Sequence, residues 1–140
     1  AFYLGIKPRK NILFVNLKDQ NKIEKNIKKV LSTGCTVTFT ALQIAAYLNP
    51  KNIGIVGVDH SFEVKKGPQV QKFKGDDINH FSKDYFKNQY WGLPDLKGSE
   101  KLYQISKEYF DSIQVPIIDY TNYGKLEVFN KGNIQEIIKN

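Results

Sequence analysis

At 140 residues the chain has the length of a single domain, and 41% apolar side chains are enough to bury a core. An aromatic content of 13% with 25% charged residues excludes a disordered chain. The balance of 21 basic to 14 acidic residues, formally +7, suits an anionic partner, but Arg9 is the sole arginine and the lysines are scattered. Specific nucleic-acid binding, with its clustered arginine forks, is therefore not expected.

In chain order, Ala1–Ile6 is apolar but too short for a membrane span and lacks a cationic leader. After the polar turn Lys7–Asn11, the run Ile12-Leu13-Phe14-Val15 predicts a short buried strand. Asp19–Lys29 is polar and lysine-rich, and Ile23, Ile27 and Val30 are spaced for one or two helical turns. Ser32-Thr33-Gly34 breaks the pattern, and Thr38–Leu48 then carries Ala41, Leu42, Ala45, Ala46 and Leu48 on one apolar helical face. Asn49-Pro50-Lys51-Asn52 ends that helix.

The run Ile53–Val58 has no polar side chain, as expected of a central parallel strand covered on both faces. On that expectation Val56→Asp destroys the fold. Asp59–Asn79 is polar and reads as a long surface loop. His80–Phe86 and Tyr90–Pro94 are aromatic enough to pack back onto the body. Gly98-Ser99 precedes a helix with Leu102, Ile105, Tyr109 and Phe110 as its stripe. Val115–Ile118 is expected as a short edge-like strand, Leu126–Phe129 as another, and Ile134–Ile138 as a last helical turn. The expected fold is one α/β domain over 1–140, with a Rossmann-like, open, mostly parallel sheet and helices on both faces.

Three segments carry chemistry. Ser32-Thr33-Gly34-Cys35-Thr36-Val37-Thr38 enters a helix with four hydroxyls, where free N–H groups and the helix dipole attract an anion. On spacing alone, the plainer reading of Thr36 or Thr38 as a helix cap is favoured, because hydroxyl-rich helix starts are common. There is no Gly-Lys-Ser/Thr, so the loop is not a Walker loop. Cys35 is the only cysteine, which excludes an internal disulfide and favours a reducing compartment, with the cytoplasm as the expected location. At a helix start it has the makings of a nucleophile, but with no nearby histidine it reads better as a small buried residue.

Asp59-His60-Ser61 follows the apolar strand, where open parallel sheets bind ligands, so Asp59 can fix a hydroxyl and His60 can move a proton. Asp76-Asp77-Ile78-Asn79-His80 offers carboxylates for magnesium and His80 as a base, or an Asx turn with a packing histidine. Tyr90-Trp91 suits stacking on a base or sugar, or core packing.

The segments Gly34–Leu48, Asn52–Phe62 with its Val-Asp-His-Ser-Phe, Asp77–Phe86, Trp91–Pro94 and Gly124–Phe129 resemble the hydroxymethylpterin diphosphokinase-like (MptE-like) domain. That domain is similar to motility-accessory-factor glycosyltransferases and, more remotely, to CMP-sialic acid-dependent sialyltransferases. The resemblance implies a nucleotide or nucleotide-sugar ligand held by Ser32, Thr33, Gly34, Thr36, Thr38 and Asp59, with His80 or His60 as catalytic base. The family's first strand ends in a Gly-x-Gly-Pro-Ser loop that this chain lacks, so the resemblance implies the C-terminal part of such a domain.

The expected function is a nucleotide-dependent transferase, foremost a glycosyltransferase of cell-surface polysaccharide or glycoprotein assembly acting on a glycan or small-molecule acceptor. The alternatives are an MptE-like diphosphokinase, with Asp59, Asp76 and Asp77 on magnesium, and a non-catalytic α/β binding module. No cofactor is expected except magnesium under the diphosphokinase reading.

Overall fold

The computed structural model describes residues 7, 9–12, 14–62, 70–72, 74–80 and 82–138. Ala1–Ile6 and Leu13, part of the expected first strand, lie outside the described residues. The fold is mixed α/β, with three small sheets and three helices among those residues. β1 (Leu17–Lys18) runs parallel to β2 (Leu31–Ser32), and β4 (Val70–Lys72) pairs antiparallel with β5 (Tyr90–Gly92). The third sheet is parallel, in the order β3 (Ile53–Ile55), β6 (Ile117–Asp119), β7 (Asn130–Lys131).

Helix α1 (Val37–Leu48) begins where extended Thr36 caps it, the Thr36 side chain accepting from the Thr38 N–H at 3.3 Å. It ends at Asn49, whose φ of 51° leaves the helix through the left-handed region while its N–H donates to the Ala45 carbonyl. Pro50 then cannot continue it. Helix α2 (Leu96–Ser112) starts ahead of the expected Gly98-Ser99 break, because Asp95 accepts from the Gly98 N–H at 2.8 Å and puts a carboxylate at the dipole's positive end. Its buried face is Ser99, Leu102, Tyr103, Ser106 and Phe110, one step round from the expected stripe. Helix α3 (Ile134–Ile138) is one short turn, as expected.

The core joins Leu42 of α1 and Tyr103 and Phe110 of α2 to Ile55, Val115, Ile117, Leu126 and Phe129. In a parallel register Ile53 faces Ile117 and Ile55 faces Asp119, so these side chains share the face that the two long helices cover. The opposite face carries Gly54, Ile118 and Tyr120, which with Ile137 of α3 line an open cavity of about 440 Å³.

The expected central strand is thus corrected. β3 is an edge strand of three residues, and Val56 just beyond it is 66% exposed. Sequence composition alone cannot separate a strand covered twice from one covered once. β2 does not extend the sheet to β3, because the Gln43 amide of α1 occupies both backbone groups of Ser32.

Three further expectations shift. Ile12, Phe14 and Val15 form no strand, and pairing begins instead at Leu17. The segment 19–29 is turns rather than helix, with Lys28 N–H on the Asn26 side chain and Lys29 N–H on the Asn26 carbonyl. Leu126–Phe129 is irregular although Leu126 and Phe129 are buried, and the ladder forms at Asn130–Lys131. None of the described helices is long and apolar enough to cross a membrane.

Candidate functional site

The parallel ladder sets the site by ending β3 and β6 side by side. At the end of β6, the Asp119 carboxylate is fully buried, accepts from the Thr121 N–H at 2.9 Å and pairs with Lys131 Nζ at 2.6 Å. Burial alone would raise that carboxyl, but Lys131 and Thr121 together hold it below the usual carboxylate value. The turn so fixed reaches across to β3. Thr121 Oγ1 accepts from Val58 N–H at 3.1 Å, and the Lys125 N–H donates to the Asp59 carbonyl at 2.8 Å.

The residues after β3 then enter a cavity of about 510 Å³ together with the start of α1 and the first turns of α2. Asp59, His60, His80, Thr36 and Thr38 all line it, with Ser99 and Tyr103 of α2. His60 adopts φ 51°, a left-handed conformation that costs a non-glycine residue about 1–2 kcal/mol. Its side chain is only 6% exposed, and Nε2 lies 3.0 Å from Glu100 Oε1. The Tyr103 ring meets the imidazole edge-on at 6.1 Å, and the Tyr103 hydroxyl contacts Thr36 Oγ1 at 3.3 Å.

His80 is held by a second carboxylate. Asp77 Oδ2 lies 2.8 Å from His80 Nδ1 and also accepts from the Phe86 N–H, while Oδ1 accepts from the Asn79 N–H. Burial raises the Asp77 carboxyl, but the Asn79 N–H, His80 and the Phe86 N–H outweigh it and hold the group below its usual value. An anionic Asp77 fixes the Nδ1–H tautomer of His80 and leaves Nε2 as the basic nitrogen. Aromatic rings brace the imidazole: Tyr85 stacks on it at 4.7 Å, and Phe86, Trp91 and Phe62 meet it edge-on. Tyr90-Trp91 divides accordingly, with Trp91 in this cluster and Tyr90 exposed.

Other expected site residues lie apart. Ser32 belongs to β2, is buried, and donates its hydroxyl to the Lys22 carbonyl at 2.8 Å. Ser32, Thr33 and Gly34 do not line the cavity. A Cβ on Gly34 would strike Leu102 and Phe39, so its glycine serves packing, at φ 56°. The carboxylates expected on magnesium do not come together as a cradle. Asp76 pairs with Lys87 at 2.9 Å, Asp77 is turned to His80, and only Asp59 of the three lines the cavity. Among the described residues no group of three His, Cys, Asp or Glu side chains is arranged to hold a metal ion.

Cys35 is also corrected, being exposed on the rim of the cavity rather than buried. Desolvation, then the Asp95 carboxylate 3.5 Å from Sγ, push its thiol above the usual value, against a nucleophilic role. Sequence reasoning passed over Glu100, Tyr103 and Thr121. A three-residue spacing puts Glu100 and Tyr103 on one helical face, which is the signal available for the pair.

The chain matches no protein-family model, no curated protein and no solved structure.

Proposed function

We propose that the chain forms part of a nucleotide-dependent transferase, a glycosyltransferase that uses a nucleotide-sugar donor on a Rossmann-like frame. The observation that carries this reading is that His80, held by Asp77, lines the same cavity as Thr36, Thr38 and Asp59. An imidazole whose Nδ1 is fixed by an anionic carboxylate is built to take a proton at Nε2, and general-base help of this kind contributes on the order of 10²–10⁴-fold.

In this mechanism His80 removes the proton of an acceptor hydroxyl as it attacks the sugar carbon, and Asp77 stabilises the resulting imidazolium. The Thr36 and Thr38 hydroxyls, at the positive end of the α1 dipole, steady the departing phosphate. Asp59 accepts from a ribose or sugar hydroxyl. Phe62, edge-on to His80 and lining the cavity, gives the acceptor an apolar wall.

Calorimetric titration with CMP-linked sugars, UDP-linked sugars and ATP tests the reading. Binding of a nucleotide-sugar, weakened by Thr38→Val while His80→Asn binds normally and does not turn over, is the expected result. A folded sample that binds none of these ligands rules the reading out.

A further inference from the structure

The cavity holds a second imidazole, and the two are held in complementary ways. Asp77 takes Nδ1 of His80 and leaves Nε2, whereas Glu100 takes Nε2 of His60 and leaves Nδ1. The surroundings of the two rings also differ. His80 sits among Tyr85, Phe86, Trp91 and Phe62, of which Phe62 also lines the cavity and offers an apolar wall to a sugar. His60 packs on Tyr103, whose hydroxyl touches the Thr36 side chain that caps α1, the end suited to a phosphate.

Position 60 is an unfavourable place for a histidine unless its ring is used. Its φ of 51° is one that glycine adopts freely and that histidine adopts under strain. The imidazole is nearly buried, but its carboxylate partner is half exposed, so the ring meets the cavity on one side and a solvent-fed proton source on the other. The ionisable groups around it are Glu100 and Tyr103 of α2 and Asp59 of its own turn. Those around His80 are Asp77 and Tyr85.

Resting on the transferase reading, we infer that His60 is a second catalytic residue, the general acid that protonates the departing phosphate oxygen while His80 acts as base. The acceptor O–H proton passes to His80 Nε2 as the acceptor oxygen bonds to the sugar carbon. The bond from that carbon to the phosphate oxygen breaks, its electron pair goes to the oxygen, and His60 Nδ1 supplies the proton. Solvent then removes one proton from His80 and returns one to His60 through the Glu100 side, which restores both groups.

The test follows nucleotide release from CMP-linked and UDP-linked sugars by the wild-type chain and by His60→Gly, whose new residue suits the backbone. The variant is expected to bind the donor normally and release nucleotide on the order of a hundredfold more slowly. Added imidazole should restore the rate at about pH 6, where imidazolium dominates, and fail to do so at about pH 8. A His60→Gly rate equal to wild type, or rescue that is stronger at the higher pH, overturns the acid role and leaves the His80 reading standing. If the wild type itself releases no nucleotide from either donor class, the transferase reading falls and the role of His60 falls with it.

Discussion

The Gln43 side chain meets Ser32 as a neighbouring strand would: its Oε1 accepts from the Ser32 N–H at 2.9 Å and its Nε2 donates to the Ser32 carbonyl at 2.8 Å. Both residues are buried, and while the Ser32 carbonyl also accepts from the Thr40 hydroxyl at 3.1 Å, the Ser32 N–H is held by the Gln43 amide. Gln43→Leu roughly keeps the volume but strands the Ser32 N–H away from water, while the carbonyl keeps the Thr40 hydroxyl, and is expected to destabilise the chain by about 1–3 kcal/mol. Urea unfolding followed by circular dichroism measures this, and a loss below about 0.5 kcal/mol would mean that water takes the place of the amide.

Gly34→Ala should be destabilising for two combined reasons. Its φ is 56°, and the added methyl would overlap Leu102 and Phe39, both buried. Left-handed strain and overpacking together are expected to remove about 2–4 kcal/mol, read from the thermal midpoint. Because Gly34 does not line the cavity, ligand affinity of the folded fraction should not change.

The edge position of β3 reverses the expected effect of one substitution. Val56→Asp, which the apolar run Ile53–Val58 marks as fatal, should change stability by no more than about 0.5–1 kcal/mol, since Val56 is largely exposed. Ile55→Asp places a carboxylate among Leu42, Phe110 and Ile117 and is expected to prevent folding. Parallel expression trials with proteolysis of the soluble fraction distinguish the two outcomes.

Acid should weaken the fold through Asp77. Its carboxyl is held below the unfolded value of about 3.9, so its stabilising contribution is complete above that pH and is lost as pH falls through the folded value. Asp95, held low by the Gly98 N–H, and Asp119 act in the same direction. In Asp77→Asn the urea midpoint should start lower at pH 7 and fall less between pH 5 and pH 2 than in the wild type. An unchanged pH dependence would show that the Asp77 carboxyl titrates alike in the folded and unfolded chain.

Local signals made several elements legible. Thr36 before Ala41, Leu42 and Ala45, followed by Asn49-Pro50, contains both ends of α1 in a few residues, and the apolar run after it locates β3. The same locality placed Thr36 and Thr38 at a helix start and Asp59 and His60 at a strand end. What was hidden depends on partners far along the chain. The separation of β2 from β3 is decided by Gln43, an ordinary polar residue in sequence, and the hold on His60 comes from Glu100, forty positions later. Asp77 looked like a metal ligand because an isolated Asp-Asp pair does not reveal that one carboxylate will turn to a histidine three residues on.

The one thiol in the chain has a practical use. Cys35 stands exposed on the rim of the cavity, with Asp95 suppressing its thiolate, so alkylation should be slow and confined to one site. A molecule lodged in the cavity would shield that sulfur. The modification rate under a screen of small compounds therefore reports occupancy directly, without an introduced label and without knowing the reaction.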